Sequence, residues 1–98
     1  MADAEANPAA RQGRMAAIFV LIKCEMGKAN EVACDIVDNV EDISEMYSTS
    51  GQYDLLAKFS LHKDVDVGEF VTTRVQTRPH IRDTFTIITF SPYHNSAA

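Results

Sequence analysis

Positive charge is scarce in this chain. Nine Lys and Arg face fourteen Asp and Glu, for a formal net charge of −5, so a phosphate-binding surface is not its main business, because nucleic-acid affinity rests on cations that neutralise phosphates. Cysteine is scarce too: Cys24 and Cys34 have neither CxxC spacing nor further cysteines to complete a metal cluster, which leaves reduced structural thiols as the reading. His62, His80 and His94 lack ligand spacing, and neither a metal nor another cofactor is expected. No run reaches the roughly 18–20 apolar residues of a membrane span, and the N-terminus has no apolar signal region. A soluble, cytoplasmic protein is expected.

What is present is an ordinary globular composition, 46% apolar and 23% charged over 98 residues, enough for one domain and one core. A chain of this size hides only roughly 60–70% of its unfolded surface, so a partner subunit would add needed burial. Residues 1–15 and 92–98 are small or polar without period and read as tails. Ala17 to Cys24 is apolar at odd and even positions alike, the pattern of a strand covered on both faces. After Gly27, the residues Ala29, Val32, Ala33, Ile36, Val37 and Val40 keep helical spacing to near Asn39. Ile43 to Ser50 alternates, with Ile43, Glu45, Tyr47 and Thr49 on one side, and Ser50-Gly51-Gln52 makes a short turn. Tyr53 to Leu61 resumes as a strand that sets Tyr53, Leu55, Ala57, Phe59 and Leu61 on one face. Asp66 with Glu69 forms a capping box, Val67, Phe70, Val71 and Val75 form a buried stripe, and Thr77-Arg78-Pro79 ends the second helix. Ile81 to Ser91 is the fourth strand.

Strand–helix–strand repeated twice predicts an α+β, ferredoxin-like βαββαβ plait: a four-stranded antiparallel sheet with both helices on one face. Two helices cover one face only, while the first and third strands are apolar on both. The second face therefore needs a lid, and an identical sheet in a two-fold dimer is the simplest one.

The segment Tyr47-Ser48-Thr49-Ser50-Gly51-Gln52-Tyr53-Asp54 concentrates hydroxyls, an amide and a carboxylate around a glycine. Such a loop can offer hydroxyls and backbone groups to an α-carboxylate and Asp54 to an α-ammonium; the same residues equally serve to close a turn. The order Ala17 to Gly27, Glu45 to Leu55, Gly68-Glu69-Phe70-Val71 and Ile81 to Thr86 resembles the effector-binding domain of the Lrp/AsnC family of amino-acid-responsive regulators, over roughly residues 16–91. The Thr-x-Gly-x-Tyr-Asp turn is the most specific part, supported by the Thr-x-Thr of the last strand. The resemblance implies a dimeric α/β barrel formed through the sheets, further assembly of dimers, and an amino acid or related effector bound between dimers near the turn. The ligand-binding residues it implies are Thr49, Gly51, Gln52, Tyr53 and Asp54, with Thr84 and Thr86. Full-length members carry an N-terminal helix-turn-helix, whereas about fifteen residues precede the first strand here. The resemblance is thus to a stand-alone version that senses and assembles, with full-length relatives as conceivable partners, rather than one that binds an operator itself.

Two rival readings stand beside it. A cofactor-poor monooxygenase or isomerase on the dimeric α/β-barrel scaffold needs a polar pocket between sheet and helices, where Val, Ile, Leu and Phe are expected here. A domain whose ligand site has decayed would be an assembly partner alone. Arg74, Arg78, His80 and Arg82 form a local basic cluster that suits an acidic partner or phosphate, or simply a helix C-terminus. Cys24 is expected to pack with Ile18, Val20 and Ile22, and the acidic run Asp35, Asp38, Glu41, Asp42 and Glu45 to be a solvated face.

Overall fold

The computed structural model describes residues 15–91 and residue 93; the expected tails otherwise lie outside the described residues. Strand β1 (Met15–Cys24) is followed by helix α1 (Ala29–Asn39), strands β2 (Ile43–Ser48) and β3 (Leu55–His62), helix α2 and strand β4 (Ile81–Ile88). Helix α2 is α-helical over Val67–Phe70 and widens to a π-type stretch over Val71–Val75, where the Gln76 N–H donates to the Val71 carbonyl at 2.8 Å. All pairings are antiparallel in the order β2-β3-β1-β4, the expected plait. No helix among the described residues is long and apolar enough to cross a membrane.

The core lies between the sheet and the helices. Ile18, Val20, Ile22 and Cys24 from β1 and Leu55, Ala57, Phe59 and Leu61 from β3 meet Val32, Ile36 and Val40 from α1 and Phe70, Val71 and Val75 from α2, each no more than 5% exposed. Strand alternation places every second residue on this face, which is why β1 and β3 supply four core residues each. Phe59 and Phe70 pack edge-to-face with centroids 5.1 Å apart, fixing α2 over the middle of the sheet. Asp66 caps that helix, its Oδ1 accepting from the Glu69 N–H at 3.2 Å.

Five local expectations are corrected. First, β1 begins at Met15, two residues before Ala17 and inside the expected tail. Second, a bulge at Ser44 breaks the alternation of β2: Ile43 pairs with Phe59 but Glu45 pairs with Lys58. The extra residue flips the faces, so Ile43 and Met46 pack on the core while Glu45 and Tyr47 turn to the opposite face. Third, Val37 is 50% exposed; it lies about 100° around the helix from the buried Ile36 and points past the sheet. Fourth, the turn between β2 and β3 is a six-residue loop, Thr49 to Asp54, so neither Thr49 nor Tyr53 belongs to a strand. Fifth, β4 ends at Ile88, and the Thr89 hydroxyl donates to the Ala17 carbonyl at 2.8 Å.

The other face of the sheet has no covering layer among the described residues. The register places Phe19, Leu21, Leu56, Phe85 and Ile87 side by side on it, with Phe85 52% and Ile87 40% exposed. Its β2 edge is polar: Glu45 takes a hydrogen bond from the Tyr47 hydroxyl and a salt bridge from Lys58 at 3.8 Å. Lys58 Nζ also lies 6.0 Å from the centre of the Phe19 ring.

Candidate functional site

The Thr49 to Asp54 loop stands at one end of the sheet, beside the end of β1. It closes on itself: the Thr49 N–H donates to the Asp54 carbonyl at 2.9 Å and the Thr49 hydroxyl to the Tyr53 carbonyl at 2.8 Å. Gly51 has φ of +99°, a left-handed backbone that glycine adopts without the Cβ clash other residues meet. Two further bonds tie the loop to β1, from the Asp54 N–H to the Ile22 carbonyl at 2.9 Å and from Lys23 Nζ to the Gln52 carbonyl at 3.2 Å. The turn reading and the binding reading of these residues are thus not exclusive, since the hydroxyl of Thr49 is spent on closure while Gly51 and Gln52 stay exposed.

Asp54 is the pivot of this end. Its Oδ2 accepts from the Cys24 backbone N–H at 2.8 Å, which satisfies the last donor of β1 where the strand leaves the sheet. The Oδ1 has no hydrogen bond among the described residues. Burial first, and the charge of Asp54 second, push the Cys24 thiol up from its ordinary range. It is a packing thiol, as its strand face predicts, and not a nucleophile.

Asp54 also lines a cleft of about 410 Å³ between this end of the sheet and the turn into α1, together with Lys23, Glu25, Gly27 and Arg82. Gly27 takes φ of +79° there. The sequence reading placed Arg82 only in a general basic cluster and missed Lys23 and Glu25 as site residues. A bulge at this point in β4 is the reason: Lys23 pairs with Asp83, Cys24 with Ile81, and Arg82 is the residue left over. One extra residue in a ladder turns its side chain off the regular alternation, and no sequence period announces it.

The remaining expected site residues are not gathered into that cleft. Tyr53 turns toward the uncovered face, 6.4 Å between ring centres from Phe85, and not toward Leu55 and the core. Thr84 pairs with Ile22 and Thr86 with Val20, so both sit on the helix side of β4, two strand spacings or roughly 10 Å from the loop. The Thr84 hydroxyl accepts from Gln76 Nε2 at 2.7 Å. The basic cluster is dispersed among acids: Arg78 makes a two-pronged pair with Asp35 at 2.7 and 2.8 Å, and His80, with φ of +69°, holds Glu25 at 3.0 Å.

Between sheet and helices the core is closed. No polar or charged residue among the described ones is buried there, and the cleft with Asp54 lies at the end of the sheet rather than between sheet and helices, where the enzyme reading needs one.

Comparison with known proteins agrees with this architecture. The family model described as the Lrp/AsnC ligand binding domain matches residues 17–98. The HTH-type transcriptional regulator FL11 of Pyrococcus abyssi is 35% identical over 82 residues, a match that takes in 84% of this chain and 52% of the regulator. This chain thus spans about half the length of the curated relatives it matches. Among solved structures, the Thermus thermophilus protein TTHA0845 superposes with a TM-score of 0.71 at 27% identity, covering 82% of this chain and 99% of that one. A Neisseria meningitidis transcriptional regulator in complex with L-Met shares the fold, with a TM-score of 0.71 at 13% identity over 89% of this chain and 56% of its own. The class is a regulatory ligand-binding domain. The chain belongs to the Lrp/AsnC ligand-binding domain family.

Proposed function

We propose that this chain is a cytoplasmic amino-acid sensor that works as an oligomer, with its effector bound at the sheet end where the Thr49 to Asp54 loop of one dimer meets a neighbouring dimer. The family assignment supports a regulatory ligand-binding role, and the observation that carries the amino-acid reading is Asp54. It is a half-buried carboxylate with one oxygen committed to the Cys24 N–H and the other free of partners among the described residues, beside a glycine-opened loop. Such a group suits an α-ammonium. The L-Met bound by the Neisseria meningitidis regulator is of the same chemical class. Thr49, Gly51, Gln52 and Tyr53 would frame the ligand mainly through backbone groups, while Thr84 and Thr86, on the helix side of β4, would not touch it within the subunit. Binding then shifts the balance among assemblies by the difference in affinity the ligand has for them. Mixed assembly with full-length relatives would carry that shift to a promoter.

The test is calorimetry of each standard L-amino acid against the purified chain, with Asp54→Asn as the comparison. Asparagine keeps an oxygen for the Cys24 N–H and removes the charge. The proposal predicts that at least one amino acid binds and that Asp54→Asn weakens it by about tenfold or more while thermal unfolding stays nearly unchanged. No binding by any of them, or equal binding by the variant, would overturn it.

A further inference from the structure

The cleft beside Asp54 is lined by charges of both signs. Lys23 and Arg82 contribute the cations, Glu25 and Asp54 the carboxylates. Three of these four are already engaged: Lys23 with the Gln52 carbonyl, Glu25 with His80, and one oxygen of Asp54 with the Cys24 N–H. Arg82 alone of them has neither an ion-pair nor a hydrogen-bond partner among the described residues, although the neighbouring Arg78 is fully paired with Asp35. The bulge that turns Arg82 out of the ladder lies at Cys24, the residue whose N–H Asp54 holds. Arg82 and Asp54 thus both meet β1 at the Lys23–Cys24 step, and bulges are common where a strand must re-aim a side chain at a site. A volume of about 410 Å³ falls within the range of roughly 300–1,000 Å³ usual for small-molecule sites.

We infer that Arg82 is the carboxylate-recognising residue of the effector site, so that a free α-amino acid lies in the cleft with its α-carboxylate on the Arg82 guanidinium and its α-ammonium on the open oxygen of Asp54. This rests on the amino-acid reading above and deepens it. It keeps the ligand at the same end of the sheet and places it against Gly27 and Arg82, and it requires an unmodified carboxylate, because a planar guanidinium matches two carboxylate oxygens with parallel hydrogen bonds and a neutral amide offers a single acceptor oxygen.

The experiment takes the amino acid that most raises the melting temperature of the chain in a thermal-shift survey of the standard L-amino acids. Calorimetry then compares that amino acid and its α-carboxamide on the wild type and on Arg82→Gln, with circular dichroism as the check on folding. The wild type should prefer the free acid by roughly tenfold or more. Arg82→Gln should lose most of that preference and bind the carboxamide as the wild type does. If Arg82→Gln binds the free acid with wild-type affinity, or keeps the full preference, the role of Arg82 is overturned while amino-acid sensing stands. If no amino acid stabilises or binds the wild type, both fall together.

Discussion

Asp35 and Arg78 join helix α1 to the segment that follows α2, forty-three positions on. The hydrogen bonds from Arg78 hold the Asp35 carboxyl below the usual carboxylate range, and the Asn39 amide adds to this. Since the folded value is depressed, the stabilisation is fully present above the ordinary carboxylate pKa of about 4 and is lost as pH falls through the depressed one. Arg78, raised further by the same pair, stays charged throughout. Both side chains keep about a quarter of their surface in water, 23% and 28%, so the pair contributes only about 1 kcal/mol. Arg78→Gln should lower the stability at neutral pH by about that amount and flatten the acid limb of the urea-midpoint profile below about pH 4. An acid limb as steep as that of the wild type would contradict the assignment.

At the scale of the elements, α2 is the least regular. Its Val71-Thr72-Thr73-Arg74-Val75 stretch is rich in β-branched residues, which fit a tight α-helical turn poorly. The Thr72, Thr73 and Thr77 hydroxyls bond back to carbonyls one turn earlier, and the backbone opens to i→i+5 spacing. Its position depends on Phe70 against Phe59. Phe70→Ala should therefore cost about 3–5 kcal/mol in urea unfolding with little change in m. Most of this architecture was legible beforehand, because β1, β3 and the stripe of α2 follow simple periods. Chief among what escaped were the two bulges. A single extra residue at Ser44 sets Ile43 and Tyr47 on opposite faces, and one at Arg82 brings that residue to the cleft, yet neither alters a composition window. The candidate loop was legible in its residues but not in its extent, because Gly51 suits a short Ser50-Gly51-Gln52 turn as readily as the six-residue loop that the bonds of Thr49 and Asp54 close.

For the molecule as a whole, the uncovered face of the sheet sets the terms. Phe19, Leu21, Leu56, Phe85 and Ile87 form one apolar surface across β3, β1 and β4, and burying such a surface contributes about 25 cal/mol per Å². An isolated subunit would expose it to water, whereas two sheets packed face to face hide both copies at once. The Lys58, Glu45 and Tyr47 cluster at the β2 edge is satisfied within its own chain, so it can rim such an interface without leaving a charge unpaired. Under the proposed function, the effector end of the sheet would lie at the rim of such paired faces, where a ligand would act on how dimers meet. An oligomeric sensor requires that face to be covered by a second copy, and sedimentation-velocity ultracentrifugation measures it directly. The wild-type chain should sediment as a dimer or larger assembly, and Phe85→Glu, which sets a charge in the middle of the apolar face, should sediment as a folded monomer. A monomeric wild type, or an assembly unchanged in Phe85→Glu, would contradict the account.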